Sequence, residues 1–298
     1  MPSIRRILCA TDFSDASSPA WDFAVRLARA VGARIHLVHV VPFVPLPIEG
    51  AIDPQTYERL LEDDRRAAVE QLEALGRRAQ PGVPVDPHVE DGPAAPRILE
   101  VMERENADLL VVGTHGRRGL DRLLLGSVAE HVVQLARHPV VTVRPTPSAA
   151  DAAGLRSILF PTDFSDIARR AWPWVEELAR ATGASVELLH VVHEVRTERE
   201  VDPAIITRAA ELIRQDARQR AKTFVASCGL PASRVVVHLA SGVEADQIVH
   251  LAAARRVELV AMGTHGRTGL LRLGLGSVTR RVLHHAPCPV LTVGPEVP

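Results

Sequence analysis

The sequence predicts an α/β protein built as two doubly wound domains, each on a five-stranded parallel sheet. Three observations carry this prediction. The chain has 298 residues, close to twice an ordinary domain of about 150. It also repeats itself. Residues 7–41, ILCATDFSDASSPAWDFAVRLARAVGARIHLVHVV, align without a gap to residues 158–192, ILFPTDFSDIARRAWPWVEELARATGASVELLHVV, at an offset of 151. Residues 108–143, DLLVVGTHGRRGLDRLLLGSVAEHVVQLARHPVVTV, match 258–293, ELVAMGTHGRTGLLRLGLGSVTRRVLHHAPCPVLTV, at an offset of 150. A period this long marks a duplicated domain, since solenoid units run about 20–50 residues. Third, short β-branched runs alternate with amphipathic stretches inside each repeat, the pattern of parallel strands joined by crossover helices.

In the first repeat, Ile4–Ala10 is a short apolar run and reads as the first strand. Asp12-Phe13-Ser14-Asp15 follows, and Ser14 or Asp15 is placed to cap a helix over Pro19–Val31, which Gly32 stops. Arg34–Val41 is the second strand, and Asp53–Ala79 a long helix with Glu and Arg mixed through it. Val83–Val89 is a third strand, assigned to an edge because Pro84 and Pro87 lack a ladder donor. Pro96–Glu105, Asp108–Val112, Ser127–Arg137 and Val140–Val143 complete the repeat as helix, strand, helix and strand. The segment Arg144–Gly154, RPTPSAADAAG, lacks periodicity and reads as the join, giving domains 1–145 and 155–298 around a linker at 146–154.

Composition narrows the function classes. With 35 basic and 36 acidic residues the formal charge is -1, which argues against a nucleic-acid binder that neutralises many phosphates. A hydrophobic fraction of 46% is enough for a core and excludes disorder. Cys9, Cys228 and Cys288 are too few and too scattered for a disulfide framework, so a reduced, cytoplasmic setting is expected. Asp12 and Asp15 cut the N-terminal apolar run short of a signal-peptide core, and no run reaches the ~18 apolar residues of a membrane span. Lys222 is the single lysine.

Two repeated motifs follow strands and carry the chemistry. The first is Ala10-Thr11-Asp12-Phe13-Ser14, matched by Pro161-Thr162-Asp163-Phe164-Ser165. The second is Gly113-Thr114-His115-Gly116, nine residues, then Gly126-Ser127, matched by Gly263-Thr264-His265-Gly266, nine residues, then Gly276-Ser277. A strand running into glycines and then a helix headed by Gly-Ser suits phosphate: glycine lets the backbone approach, and the helix start offers unpaired N–H groups. Ser127 and Ser277 each add a hydroxyl. The motif is not the P-loop, which needs a lysine, nor the dinucleotide turn G-x-G-x-x-G.

Taken with the His-Val that ends the second strand, T-D-F-S and G-x-x-G-x9-G-[ST] resemble the universal stress protein family, and the chain is similar to a tandem member of it. The resemblance implies a sheet of order 3-2-1-4-5, of the adenine-nucleotide alpha-hydrolase-like kind, with ATP, ADP or AMP at the switch point in the nucleotide-binding branch. It places Ala10, Thr11 and Asp12 on the adenosine, Val40 on the base, and Gly113, Gly116, Gly126 and Ser127 on the phosphates. In the second repeat the same roles fall to Pro161, Thr162, Asp163, Val191, Gly263, Gly266, Gly276 and Ser277. Arginines in the loops (Arg117, Arg118, Arg122, Arg267 and Arg272), or Mg²⁺ bound through the phosphates, would offset their charge. The resemblance also implies pairing of Val140–Val143 with Val290–Val293 within one chain, and leaves association into a homodimer undecided.

Other polar and apolar features take plainer readings. His115 and His265 lack an orienting aspartate and read as polar loop residues, so no catalytic residue is assigned. His39 and His190 read as structural, tied to neighbouring backbone. His284-His285 with Cys288 is disfavoured as a zinc site because prolines bracket the cysteine. Trp21 and Trp172 read as core anchors and Cys9 as a small core residue, while Leu123–Leu125 and Leu270–Leu275 are assigned to packing at an interface. The expected function is an ATP-binding regulatory or sensing stress-response protein. The alternatives are a slow ATP hydrolase or phosphotransferase using the same pockets, and a nucleotide-free scaffold.

Overall fold

A computed structural model describes residues 3–42, 53–79, 81–114, 125–145, 154–192, 202–264 and 275–294. The chain divides into two units, Ser3–Ala150 and Asp151–Pro298. In the first, β1 (Arg6–Ala10) is the central strand, and every residue after Arg6 is buried. It pairs in parallel with β2 (Arg34–Val41) on one side and β4 (Leu109–Gly113) on the other. Beyond them lie β3 (Val85–Asp91) and β5 (Val140–Val143), giving the order β3-β2-β1-β4-β5. Continuous apolar runs such as Leu109-Leu110-Val111-Val112 are what a parallel strand covered on both faces requires.

The crossover helices are α1 (Ser18–Val31), α2 (Pro54–Arg77), α3 (Ala94–Arg104) and α4 (Ser127–Leu135). Asp53 caps α2 by accepting from Thr56 N–H at 3.0 Å. Pro87 sits in β3 opposite Leu37, on the strand that pairs with β2 alone among the described residues, so its missing N–H breaks no ladder bond.

The second unit repeats the plan with β6 (Ser157–Pro161), β7 (Ser185–Val192), β8 (Val235–Ser241), β9 (Leu259–Gly263) and β10 (Val290–Val293), in the order β8-β7-β6-β9-β10. Its helices are α5 (Asp166–Thr182), α6 (Pro203–Ser227), α7 (Glu244–Arg255) and α8 (Ser277–His285). Both units therefore have the predicted 3-2-1-4-5 arrangement, with the order reversing beside the first strand.

An acidic residue ahead of the fourth strand fixes the start of the first strand in each unit. The Asp108 carboxylate accepts from Arg5 and Arg6 N–H at 2.8 and 2.9 Å, and Glu258 accepts from Arg156 and Ser157 N–H at 2.8 and 2.7 Å. Trp21 and Trp172 are buried, as anchors should be, and Cys9 is wholly buried in β1. No helix among the described residues is long and apolar enough to cross a membrane.

One expectation is corrected. Neither Ser14 nor Asp15 caps α1; the N-cap is Ser17, without a side-chain bond to the helix. Ser14 is diverted, because its N–H and hydroxyl both donate to Asp12 Oδ1, at 3.1 and 2.6 Å. In the second unit the matched Ser165 does cap, accepting from Ala168 N–H at 3.2 Å, and α5 consequently starts three positions earlier in the motif.

Candidate functional site

The T-D-F-S motif is a turn that side chains lock. Thr11 Oγ1 accepts from Phe13 N–H at 3.0 Å, and Thr162 Oγ1 does the same for Phe164. Asp12 and Asp163 each accept from the serine N–H two residues on, at 3.1 and 2.9 Å. These paired short-range bonds hold Phe13 and Phe164 in the left-handed region, at φ of 62° and 60°. A side chain there costs roughly 1–2 kcal/mol. Ring packing helps to offset it: Phe13 meets His39 at 4.3 Å between centroids, and Phe164 meets His190 at 4.8 Å. Each of these histidines is tied by Nδ1 to the carbonyl of the motif threonine, at 2.8 and 2.7 Å, the structural role expected of them. The turn and the end of the second strand are thereby fixed to one another.

The glycine motif approaches the same edge from the other side. β4 and β9 end at Gly113 and Gly263, and the register sets Ala10 beside Val112. Gly126 N–H donates to Thr114 O at 2.6 Å and Gly276 N–H to Thr264 O at 3.0 Å, which pins each helix start to the strand end. The first helical bonds are from Glu130 to Gly126 O and from Arg280 to Gly276 O, both 2.9 Å. The N–H groups of the first turn ahead of them have no helical acceptor, and no side chain caps either helix. Gly126 and Gly276 have φ near -60° and ψ near 145°, a conformation open to any residue. Backbone strain therefore does not demand glycine here.

In the second unit these parts enclose a cavity of about 450 Å³ at the carboxyl ends of β6, β7 and β9. Pro161, Thr162, Asp163, Val191, Gly263, Gly276 and Ser277 all line it. In the first unit Ala10, Thr11, Asp12, Val40, Gly113, Gly126 and Ser127 hold the matching positions at the ends of β1, β2 and β4 and the head of α4. Gly116, Gly266, His115, His265 and the loop arginines lie outside the described residues, as do Leu123, Leu124, Leu270, Leu271 and Leu273. Most of the 146–154 linker does as well.

The cavity also has walls that the motifs did not announce. Glu244 heads α7 and lines it, where the first repeat has Ala94 at the matched position. Arg220 and Asp216, paired at 2.7 Å one turn apart on α6, form part of the rim. Thr279 closes the floor with a hydroxyl donating toward Gly263 O and Thr264 O, each at 3.1 Å. The signal for Glu244 was its place just after the third strand; α6 carries no motif that fixes which face meets the sheet.

A match to the universal stress protein family model covers residues 3–144 and again 154–294. The chain belongs to the universal stress protein family. Universal stress protein MJ0531 of Methanocaldococcus jannaschii is 36% identical over 143 residues, 47% of this chain and 82% of that protein. A universal stress protein of Mycolicibacterium smegmatis is 28% identical over 299 residues, covering 97% of each chain. The crystal structure of a universal stress protein from Archaeoglobus fulgidus superposes with a TM-score of 0.66 at 21% identity, over 98% of this chain and 97% of that one. That likeness is one of fold.

Proposed function

We propose that this universal stress protein is a cytoplasmic stress-response protein that binds ATP, or the related ADP or AMP, and uses nucleotide occupancy to regulate or sense. The observation that carries the reading is the second unit's cavity, where the T-D-F-S turn and the glycine-headed helix meet across the sheet's switch point. Its volume of about 450 Å³ falls among small-molecule sites, which run about 300–1,000 Å³. The chemical fit supports the same reading. First-turn N–H groups at Ser277, with the Ser277 hydroxyl, suit an anion. The Asp163 carboxylate suits ribose hydroxyls rather than phosphate, and Val191 offers an apolar wall for a base. The first repeat supplies the same set through Asp12, Val40, Gly126 and Ser127. Bound nucleotide would bring the phosphate charge, and any Mg²⁺ held through it, to the head of each helix.

The test uses ATP with the full chain and a Gly126→Val/Gly276→Val variant. Both glycines have backbone angles that valine adopts, so the variant should fold. Saturating ATP should raise the melting temperature of the parent protein and leave the variant unmoved. An unchanged ATP shift in the variant would refute the placement of the phosphates.

A second reading, slow ATP hydrolysis, is favoured by the Glu244 carboxylate in the cavity, a group of the kind that orients an attacking water. Turnover measured on the same preparation, with none detected, removes it.

A further inference from the structure

Well away from the carboxyl edge, β2, β3 and the end of α3 bring together three side chains that the nucleotide reading leaves unused. The register sets His36 opposite Asp86 and Val38 opposite His88, so the two histidines are diagonal neighbours on one face. His36 Nδ1 lies 3.0 Å from His88 Nε2. Glu105, just past α3, brings Oε2 to 3.9 Å from His36 Nδ1 and Oε1 to 3.9 Å from His88 Nδ1. One ligand atom from each residue fits within 4.8 Å. Ligand atoms around tetrahedral zinc, at bond lengths near 2.0–2.2 Å, stand about 3.3–3.5 Å apart. The facing histidine nitrogens stand slightly inside that spacing and Glu105 slightly outside it, so small side-chain rotations bring one atom of each residue into a coordination triangle.

Their chemistry matches the geometry. His36 is buried, which holds its imidazole below the ordinary histidine range, with the neighbouring His88 acting in the same sense. Glu105 is held below the usual carboxylate range, first by the hydrogen bond from Arg104. A cation there would meet two imidazole nitrogens and one carboxylate oxygen, a ligand set that suits it. Arg104 donates from Nε to Glu105 Oε1 at 3.0 Å and pairs with Glu90 at 2.7 Å, which orients the carboxylate as an outer-shell partner does. The facing imidazoles share one proton between them, and among the described residues His36 Nε2 has no hydrogen-bond partner.

The second repeat is an internal control. Glu187 stands at the position of His36, His238 at that of His88, and Arg255 at that of Glu105. His238 Nε2 pairs directly with Glu187, and Arg255 Nε lies 3.8 Å from the same oxygen. One carboxylate and one imidazole there already face a fixed positive charge, so the cluster closes as an ion pair.

We propose that His36, His88 and Glu105 form a zinc-binding site confined to the first repeat, with water as the fourth ligand. Two nitrogens and one oxygen suit Zn²⁺, and the half-buried His88 and Glu105 leave one side open to solvent. The site is separate from the nucleotide cleft: His36 precedes Val40 by four strand residues, about 13 Å at ~3.3 Å each.

The experiment adds Zn²⁺ alone to metal-free full-length protein, then dialyses it and counts the metal retained. One equivalent per chain is expected, together with a rise in melting temperature. A His36→Glu/Glu105→Arg variant, which reproduces the arrangement already folded in the second repeat, should lose both. Circular dichroism checks that it folds. If it does not, Glu105→Gln is used, and its zinc affinity should fall about tenfold or more. The proposal is overturned if the parent chain retains no zinc or either folded variant binds zinc as the parent does. Loss of the equivalent through His284→Ala/His285→Ala instead would also overturn it.

Discussion

The two repeats agree where the backbone is being held and differ where side chains meet one another. Asp108 and Glu258 brace the first strand with the same pair of bonds, and His39 and His190 grip the same carbonyl. Phe13 and Phe164 share one unusual backbone angle. Yet Cys9 is a small buried group, whereas its counterpart Phe160 packs against Trp172 and Phe224 at 5.3 and 5.8 Å. Ser14 serves a turn and Ser165 a helix, while His36 and Glu187 lead their clusters to different ends. Duplicated halves can exchange packing partners in sets because each set is local. The bonds that define the turn and the sheet start are shared by the whole domain and admit little variation.

The largest expected consequence lies in the cores. Phe160→Ala should cost about 3–5 kcal/mol in urea unfolding, because the aromatic cluster around it cannot collapse into the space. Cys9→Ala removes one small group and should cost about 1 kcal/mol. Equal costs would mean that the cores differ in name only.

A smaller effect separates the serines. Ser165→Ala should lose about 1 kcal/mol of helix capping, and Ser165→Asp should regain it. Ser14→Asp should instead destabilise, since it sets a second carboxylate where the Ser14 hydroxyl now donates to Asp12 at 2.6 Å. Thermal melting of the three variants reads the sign.

The smallest expected difference is none. Burial pushes the thiols of Cys9 and Cys288 up to about 12, so neither forms thiolate near neutrality. Iodoacetamide at pH 8 should label neither residue until the chain is unfolded. Selective labelling of one native thiol would show that its unit opens first.

Much of this was legible in the sequence because the repeat supplied a second copy of every signal. The strands follow from their apolar runs, the turn and helix-head positions from motifs that sit at strand ends, and the sheet order from the family resemblance that those motifs carry. Three things were hidden for physical reasons. Whether Ser14 caps depends on competition from Asp12 for its hydroxyl, a matter of ångströms rather than spacing. On α6 the buried Ala217, Ala221 and Phe224 form the apolar face, and Asp216 and Arg220 lie beside it, so helical spacing could not show that these two charges line the cavity. His36, His88 and Glu105 lie far apart along the chain, and only the β2–β3 register and the end of α3 make them neighbours.

The brace at Asp108 has a consequence for synthesis. The central strand is made first, but its outer neighbour and the carboxylate that holds its leading N–H groups come about a hundred residues later. A nascent chain that stops short of Asp108 can pair β1 with β2 and β2 with β3, leaving the other side of β1 as an open edge of unpaired backbone. Such an edge recruits whatever strand is nearest, and a duplicated protein makes two of them in turn. While each repeat is being synthesised, it is exposed to strand capture until its fourth strand leaves the ribosome.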